Sequence, residues 1–204
     1  MNLRSLVGGL VVAALAPLAF GAQILTSGGL SGANENPANA SPGTGSAFVT
    51  IDTTTHQLRV VVNFSGLTSN TTAAHIHCCT APPGNVGVAT TTPAFAGFPL
   101  GVTSGSLDQT YDTLQPSTWN AAFITANGGT PAGAEAALAV GLAQGNAYLN
   151  IHTSQFPGGE IRGFLVPQNS PNTGNIPTLS NAALIGLAGV LAIVAFVTLR
   201  RRMR

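Results

Sequence analysis

Hydrophobic and polar residues alternate through the first half of the chain with the period of two that is typical of half-buried β-strands. In the run 58–64, one face carries Leu, Val, Val and Phe, whereas the opposite face carries Arg59 and Asn63. A second run of β-branched and aromatic residues, 47–51, precedes it, and the polar segment 52–57 between them predicts a hairpin. The pattern therefore predicts antiparallel strands that bury one face.

The rest of the central region continues this β pattern with short interruptions. Further strands are predicted at 73–77, 101–107, 146–152 and 160–166. Two short helices are predicted at 117–126 and 132–143, since Pro131 suits a helix start and Gly145 a helix end. Several short strands separated by Gly, Pro and Thr turns predict an all-β fold, an antiparallel β-sandwich with one or two short helices, over 23–167.

The N-terminal segment has the pattern of an export signal. Arg4 precedes an apolar stretch, 6–20, and the small residues Ala19 and Gly21 mark a cleavage region. Residues 1–22 are therefore predicted to be a secretory signal peptide that a signal peptidase removes. A retained membrane anchor is the alternative, although the stretch is short for a bilayer.

The C-terminal segment has the pattern of a membrane span. The segment 168–178 is rich in Pro, Asn, Ser, Thr and Gly, which predicts a linker. After it, 181–199 carries no charge and is followed by arginines at 200, 201, 202 and 204. At about 1.5 Å per residue such a helix matches the hydrocarbon thickness of a bilayer. We predict a transmembrane helix with a basic tail over 179–204, with the arginines on the cytoplasmic side.

The charge of the segment between these two ends differs from that of the whole chain. The chain has a formal net charge of +1, but five of its seven basic residues lie in the end segments. Residues 23–167 keep two arginines against six carboxylic acids, which gives a net charge of −4. A mildly acidic segment without lysine argues against nucleic-acid binding through a basic face.

Three of the four histidines follow one strand pattern. His75 and His77 share one face of a predicted strand, and His152 shares a face with Asn150 on another. If the two strands are neighbours, three imidazoles converge and could bind one copper or zinc ion, with Cys78 or Cys79 as a further ligand. The alternative is a structural role, in which each ring hydrogen-bonds to neighbouring strands and loops.

A His-x-His step also occurs in copper-zinc superoxide dismutase. That enzyme's two-metal site needs more histidines than this chain has. His56 lies in a predicted turn, so at most three histidines are available for a site. A mononuclear site is what the histidine count leaves open.

The adjacent cysteines, Cys78 and Cys79, have three interpretations. Free thiols do not persist in an oxidising exterior, so a vicinal disulfide is favoured over intermolecular bridges or thiolate ligation of a metal. A long-range disulfide within the chain is excluded, because the sequence has only these two cysteines.

Four motifs in order resemble the CHRD domain, which was named for repeats in chordin. They are 30–37 (LSGANENP), 74–77 (AHIH), 145–153 (GNAYLNIHT) and 156–163 (FPGGEIRG). The resemblance spans 30–166 and implies an extracellular all-β module with no established catalytic chemistry. The chain departs from the family at Cys78-Cys79, where Gly usually follows the second His, and in the long loop 80–101.

Three charged residues of these motifs are given a structural role. Glu160 and Arg162 lie two residues apart near the last predicted strand, and Glu35 belongs to the first motif. An ion pair that joins the first and last strands is predicted in preference to catalysis. No nucleophile, phosphate-binding loop or carboxylate pair stands out, so the chain is predicted to be non-enzymatic.

The C-terminal segment resembles the IPTL-CTERM sorting tail of Gram-negative bacteria. The letters IPTL at 176–179 precede the apolar stretch and the basic tail in the order of that motif. The resemblance implies an exosortase-like sorting protease as a partner and export across the inner membrane. The protein would then stay anchored by its C-terminal helix or leave the membrane after cleavage.

Two classes of function follow from the sequence. The first is a non-enzymatic envelope module that serves binding, adhesion or matrix contacts with an extracellular ligand. The second is a mononuclear copper or zinc protein that uses His75, His77 and His152.

Overall fold

A computed structural model of the chain describes residues 23–168. The predicted signal peptide and the predicted transmembrane helix lie outside this range. Within it, no helix is both long and apolar enough to cross a membrane. The strands are β1 (Gln23–Ser31), β2 (Thr44–Asp52), β3 (Gln57–Ser65), β4 (Thr71–Cys78), β5 (Gly105–Asp112), β6 (Ala147–Thr153), β7 (Ile161–Phe164) and β8 (Val166–Pro167). The helices are α1 (Ala121–Ala126) and α2 (Pro131–Ala143).

The strands form one antiparallel sheet in the order β4-β6-β7-β1-β2-β3-β5, with β8 also paired to β1. The all-β antiparallel prediction is confirmed, but the sheet is a half-barrel and is not divided into two facing sheets. The sheet stays continuous because β1 is paired on both sides. It pairs with β2 along its whole length and with β7 and β8 on its other side. It joins two groups of strands that would otherwise be separate.

The core lies on one face of this sheet. Leu58, Val60, Val62 and Phe64 are all buried, as their alternation predicts. On β2, opposite them, the side chains of Ala47, Val49 and Ile51 fill the same layer. Arg59, on the other face, is exposed and pairs with Asp108 of β5.

Both helices begin at capping residues that can be recognised in the sequence. The side chain of Thr130 accepts a hydrogen bond from the amide of Gly133, which caps α2, and Pro131 takes its first turn. Asn120 caps α1 in the same way through the amide of Ala122. Helix α1 is shorter than predicted, because Pro116–Thr118 forms a separate 3-10 turn. Helix α2 packs on β1, β6 and β8 and covers the core.

Candidate metal centre

The pairing of β4 with β6 brings the three histidines to one face of the sheet. In this register His75 lies opposite Asn150, His77 opposite Tyr148, and Ala73 opposite His152. Cross-strand partners point to the same side, so His152 lies diagonally next to His75. The intervening residues point into the hydrophobic core on the other side, where Ile76 and Ile151 are fully buried.

The histidine side chains converge. One ring nitrogen from each lies within 4.8 Å of a nitrogen of the others. The ring centroids of His75 and His77 are 4.8 Å apart, and those of His75 and His152 are 4.6 Å apart. All three side chains are buried, with residue exposures of 6%, 9% and 8% for His75, His77 and His152. The structure thus brings together the three histidines that the sequence singled out.

Backbone carbonyls orient two of the rings. Nδ1 of His77 donates to the carbonyl oxygen of Val86 at 2.7 Å, and Nδ1 of His152 donates to that of Pro157 at 2.9 Å. With the proton on Nδ1, Nε2 of each ring keeps a lone pair. A hydrogen bond from the second ring nitrogen to a carbonyl is the usual support of a metal-ligating histidine.

One further nitrogen of each ring is buried without a partner. Nε2 of His77, Nε2 of His152 and Nδ1 of His75 have no hydrogen-bond partner among the described residues. The structural alternative is met in part, since the rings of His77 and His152 each hydrogen-bond to a loop carbonyl, but it leaves these three buried nitrogens without partners. A metal ion is the type of ligand that convergent, unprotonated imidazole nitrogens bind.

The histidines are held in the neutral form that metal binding requires. Burial lowers the pKa of His75 to about 3 and that of His77 to about 4. Burial also lowers the pKa of His152, although its hydrogen bond to Pro157 acts in the opposite direction. The mutual proximity of the rings adds to the effect on His75, because one protonated ring disfavours another. Protons therefore do not compete for these nitrogens near neutral pH.

An aromatic and a cationic side chain support the cluster. Tyr148 stacks on His77, with ring centroids 4.6 Å apart and planes 7° apart, and the guanidinium of Arg162 lies over the Tyr148 ring at 4.7 Å. Tyr148 was not among the site residues predicted from the sequence. Its signal was available, because position 148 alternates with Asn150 and His152 and so must share their face.

Arg162 of β7 connects the long loop 80–101 to the sheet through hydrogen bonds. Its guanidinium donates to the carbonyl of Pro83 at 2.9 Å and to Oδ1 of Asn85 at 2.6 Å. Its Nε donates to the carbonyl of Asn34 at 2.6 Å. The same loop supplies the Val86 carbonyl that orients His77, so Arg162 positions a partner of the candidate centre.

The three charged residues that the sequence assigned to a structural role form two separate groups. Glu35 lies 3.8 Å from Nε of Arg162, and both side chains are buried. Burial raises the pKa of Glu35 to about 7, while Arg162 acts in the opposite direction. Glu160 makes no ion pair with Arg162. Its carboxylate instead accepts hydrogen bonds from the hydroxyls of Ser41, Thr68 and Thr153.

The cysteines do not join the histidines. Cys78 and Cys79 are linked by a vicinal disulfide, so no thiolate is available. Cys78 follows His77 on β4 and must point to the opposite, core face, where it lies against Gly141 of α2. The candidate cluster contains His75, His77 and His152 and no cysteine. Ligation by Cys78 or Cys79 is therefore wrong.

His56 lies apart from the other three, as its turn position predicts. It occupies the β2–β3 turn with a positive φ of 57°. Its Nδ1 is 2.9 Å from Oε2 of Glu135, a buried carboxylate on α2. His56 can therefore serve as a control histidine in tests of metal binding by the other three.

Comparison with known proteins identifies two segments. The model of the CHRD domain matches residues 26–165, and the IPTL-CTERM motif matches residues 176–202. No protein of curated function and no solved structure matches the chain. The sorting motif implies export, a location at the cell envelope or surface, and processing by a sorting protease.

Proposed function

Since the chain belongs to the CHRD domain family, we propose that it is an exported envelope protein whose domain binds one transition-metal ion. The ion would be copper or zinc, held by Nδ1 of His75 and by Nε2 of His77 and of His152. The role is binding without catalysis.

One observation carries this proposal: the three buried histidines bring one ring nitrogen each within 4.8 Å of the others, and each ring has a buried nitrogen without a partner among the described residues. Leaving such an atom unpaired in a buried place costs roughly 1–3 kcal/mol. A fold that keeps three of them together, two with their tautomers set by carbonyls, is better explained by a ligand than by packing.

The cellular location that we propose rests on the two terminal segments of the chain. Residues 1–22 would be removed by signal peptidase, and the helix proposed within 179–204 would hold the protein in the membrane until a sorting protease acts on it. The domain would then face the exterior, attached or released. The IPTL-CTERM match supports this order of events.

The test is metal analysis of the full-length protein purified in metal-free buffer and reloaded with copper or zinc. The wild type should bind one ion per chain, and His77→Ala should lose it while keeping the circular-dichroism spectrum. His56→Ala is the matched control, because it removes the histidine outside the cluster. Absence of metal from the wild type, or equal metal in the wild type and His77→Ala, would contradict the proposal.

A second candidate is the binding, adhesion or matrix role that the sequence predicted. Leu25, Phe48 and Val166 are exposed apolar side chains on the paired strands β1, β2 and β8. Phe48 and Val166 both lie opposite Ser27, so they flank one position of the outer sheet face. Phe48→Ser should reduce adherence of cells that display the protein without changing its metal content. Unchanged adherence would remove this candidate.

A further inference from the structure

The donor set of the candidate centre carries no negative charge. It consists of three neutral imidazoles, and no carboxylate or thiolate of residues 23–168 belongs to the cluster. The adjoining charged group is a cation, since the guanidinium of Arg162 lies over Tyr148, which stacks on His77. Glu35 lies near Asn150 but faces Arg162 at 3.8 Å, so this pair adds no net negative charge.

The donor atoms are also shielded from water. Each of the three unpartnered nitrogens is buried below the surface that a water molecule can contact. The cost of taking an ion from water into such a place rises with the square of its charge. A divalent ion without an anionic ligand therefore meets a much larger penalty here than a monovalent one.

The number of donor atoms also favours a monovalent ion over zinc. Zinc in proteins is almost always four-coordinate, and with three histidines it takes water as its fourth ligand. Among the described residues no fourth His, Cys, Asp or Glu side chain joins the cluster to complete that coordination. Copper(I) is a d¹⁰ ion that is stable with three nitrogen donors and needs no fourth ligand.

Building on the proposed metal function, we infer that the His75, His77 and His152 centre selects copper(I) over zinc. The selection comes from a neutral, buried, three-nitrogen donor set beside a buried cation. The monovalent ion is bound as such, and no electron transfer is part of the inference.

The test is a pair of competition titrations of the full-length protein. Copper(I) is titrated anaerobically against bicinchoninate, and zinc is titrated against a chromophoric zinc chelator. We expect one copper(I) per chain and an affinity for zinc at least 100-fold weaker. Zinc binding as tight as copper(I), with both lost in His77→Ala, would overturn the selection and leave the metal function standing. Binding of neither ion would overturn both.

A charge-altering variant tests the physical reason. Asn150 shares the histidine face and lies opposite His75, so Asn150→Asp places a carboxylate beside the donors at nearly constant shape. We expect the copper(I)-to-zinc affinity ratio to fall at least tenfold. Asn63→Asp, the same change at an exposed position of β3, should leave the ratio unchanged. A ratio that is the same in both variants would contradict the electrostatic argument.

Discussion

The carbonyl groups of Val86 and Pro157 determine the tautomers of His77 and His152. Each accepts the Nδ1 proton of one ring and so leaves its buried, unpartnered Nε2 unprotonated. Sequence spacing places the rings on one face but says nothing of these partners. Val86 comes from a long loop and Pro157 from a turn, and neither position follows from a periodic pattern.

A neighbouring carboxyl gives the first pH-dependent prediction. The folded-state pKa of Glu35 is raised to about 7 from 4.5, chiefly by burial. The folded state therefore binds more protons than the unfolded state between these values, and the stabilisation is lost as pH rises through 7. We expect the free energy of unfolding to fall by about 2–3 kcal/mol between pH 4.5 and 8 from this group. The measurement is urea unfolding of the metal-free protein across that range.

Glu35→Gln isolates the contribution of this carboxyl. The cluster histidines change stability in the opposite sense, because their lowered pKa values make acid destabilising below about pH 6.5. Their effect is common to both proteins and cancels in the difference. The variant should lose less stability than the wild type between pH 5 and 8. Parallel pH profiles of the two proteins would show that Glu35 is not held neutral by burial.

At the scale of elements, the strands with clean alternation could be predicted and the others could not. Strands β2, β3, β4 and β6 agree with their predicted positions within three residues at each end. Strand β5 begins at Gly105, later than predicted, because it is an edge strand with a mostly exposed, polar sequence. Strand β1 was not predicted, since two adjacent glycines interrupt its apolar pattern.

The candidate site was easier to predict than the sheet around it. His-x-His on β4 and Asn-x-His on β6 fix which residues share a face once the two strands pair. The pairing itself joins segments far apart in sequence, and only the repeated Ile-His step suggested it. The cysteine ligands were the error, because the two sulfur atoms are joined in a disulfide and position 78 also alternates away from His77.

The contact between α2 and the disulfide predicts the effect of a glycine substitution. A Cβ at Gly141 would meet Sγ of Cys78 and lie 2.6 Å from Sγ of Cys79. The bonded sulfur atoms cannot rotate away, so Gly141→Ala should destabilise the domain by about 1–3 kcal/mol. This would occur although alanine favours a helix by about 1 kcal/mol over glycine. The measurement is the denaturation midpoint in urea.

The control for this prediction is a glycine with open space around it. A Cβ at Gly87 meets no atom within 4 Å, so Gly87→Ala should change stability by less than about 0.5 kcal/mol. Reduction of the disulfide should relieve part of the Gly141→Ala defect. An alanine at 141 that stabilises the oxidised protein would contradict the packing described here.

At the scale of the whole molecule, the two identified segments predict a topology. With the CHRD domain exported and the basic tail at 200–204 retained in the cytoplasm before processing, protease added to intact spheroplasts should digest the domain. An epitope placed after Arg204 should become accessible only after lysis. A domain that is fully protected until lysis would refute the orientation.

The place of β1 in the sheet has a consequence for how the chain crosses the membrane. It is the first strand of the described chain, yet its partners on one side are the last two, β7 and β8. A chain threaded outward from its N-terminus cannot close its sheet until Val166 and Pro167 have emerged. During export from the N-terminus, the late emergence of these partners would postpone closure of the sheet until the entire domain is outside, because long-range strand pairing forms slowly.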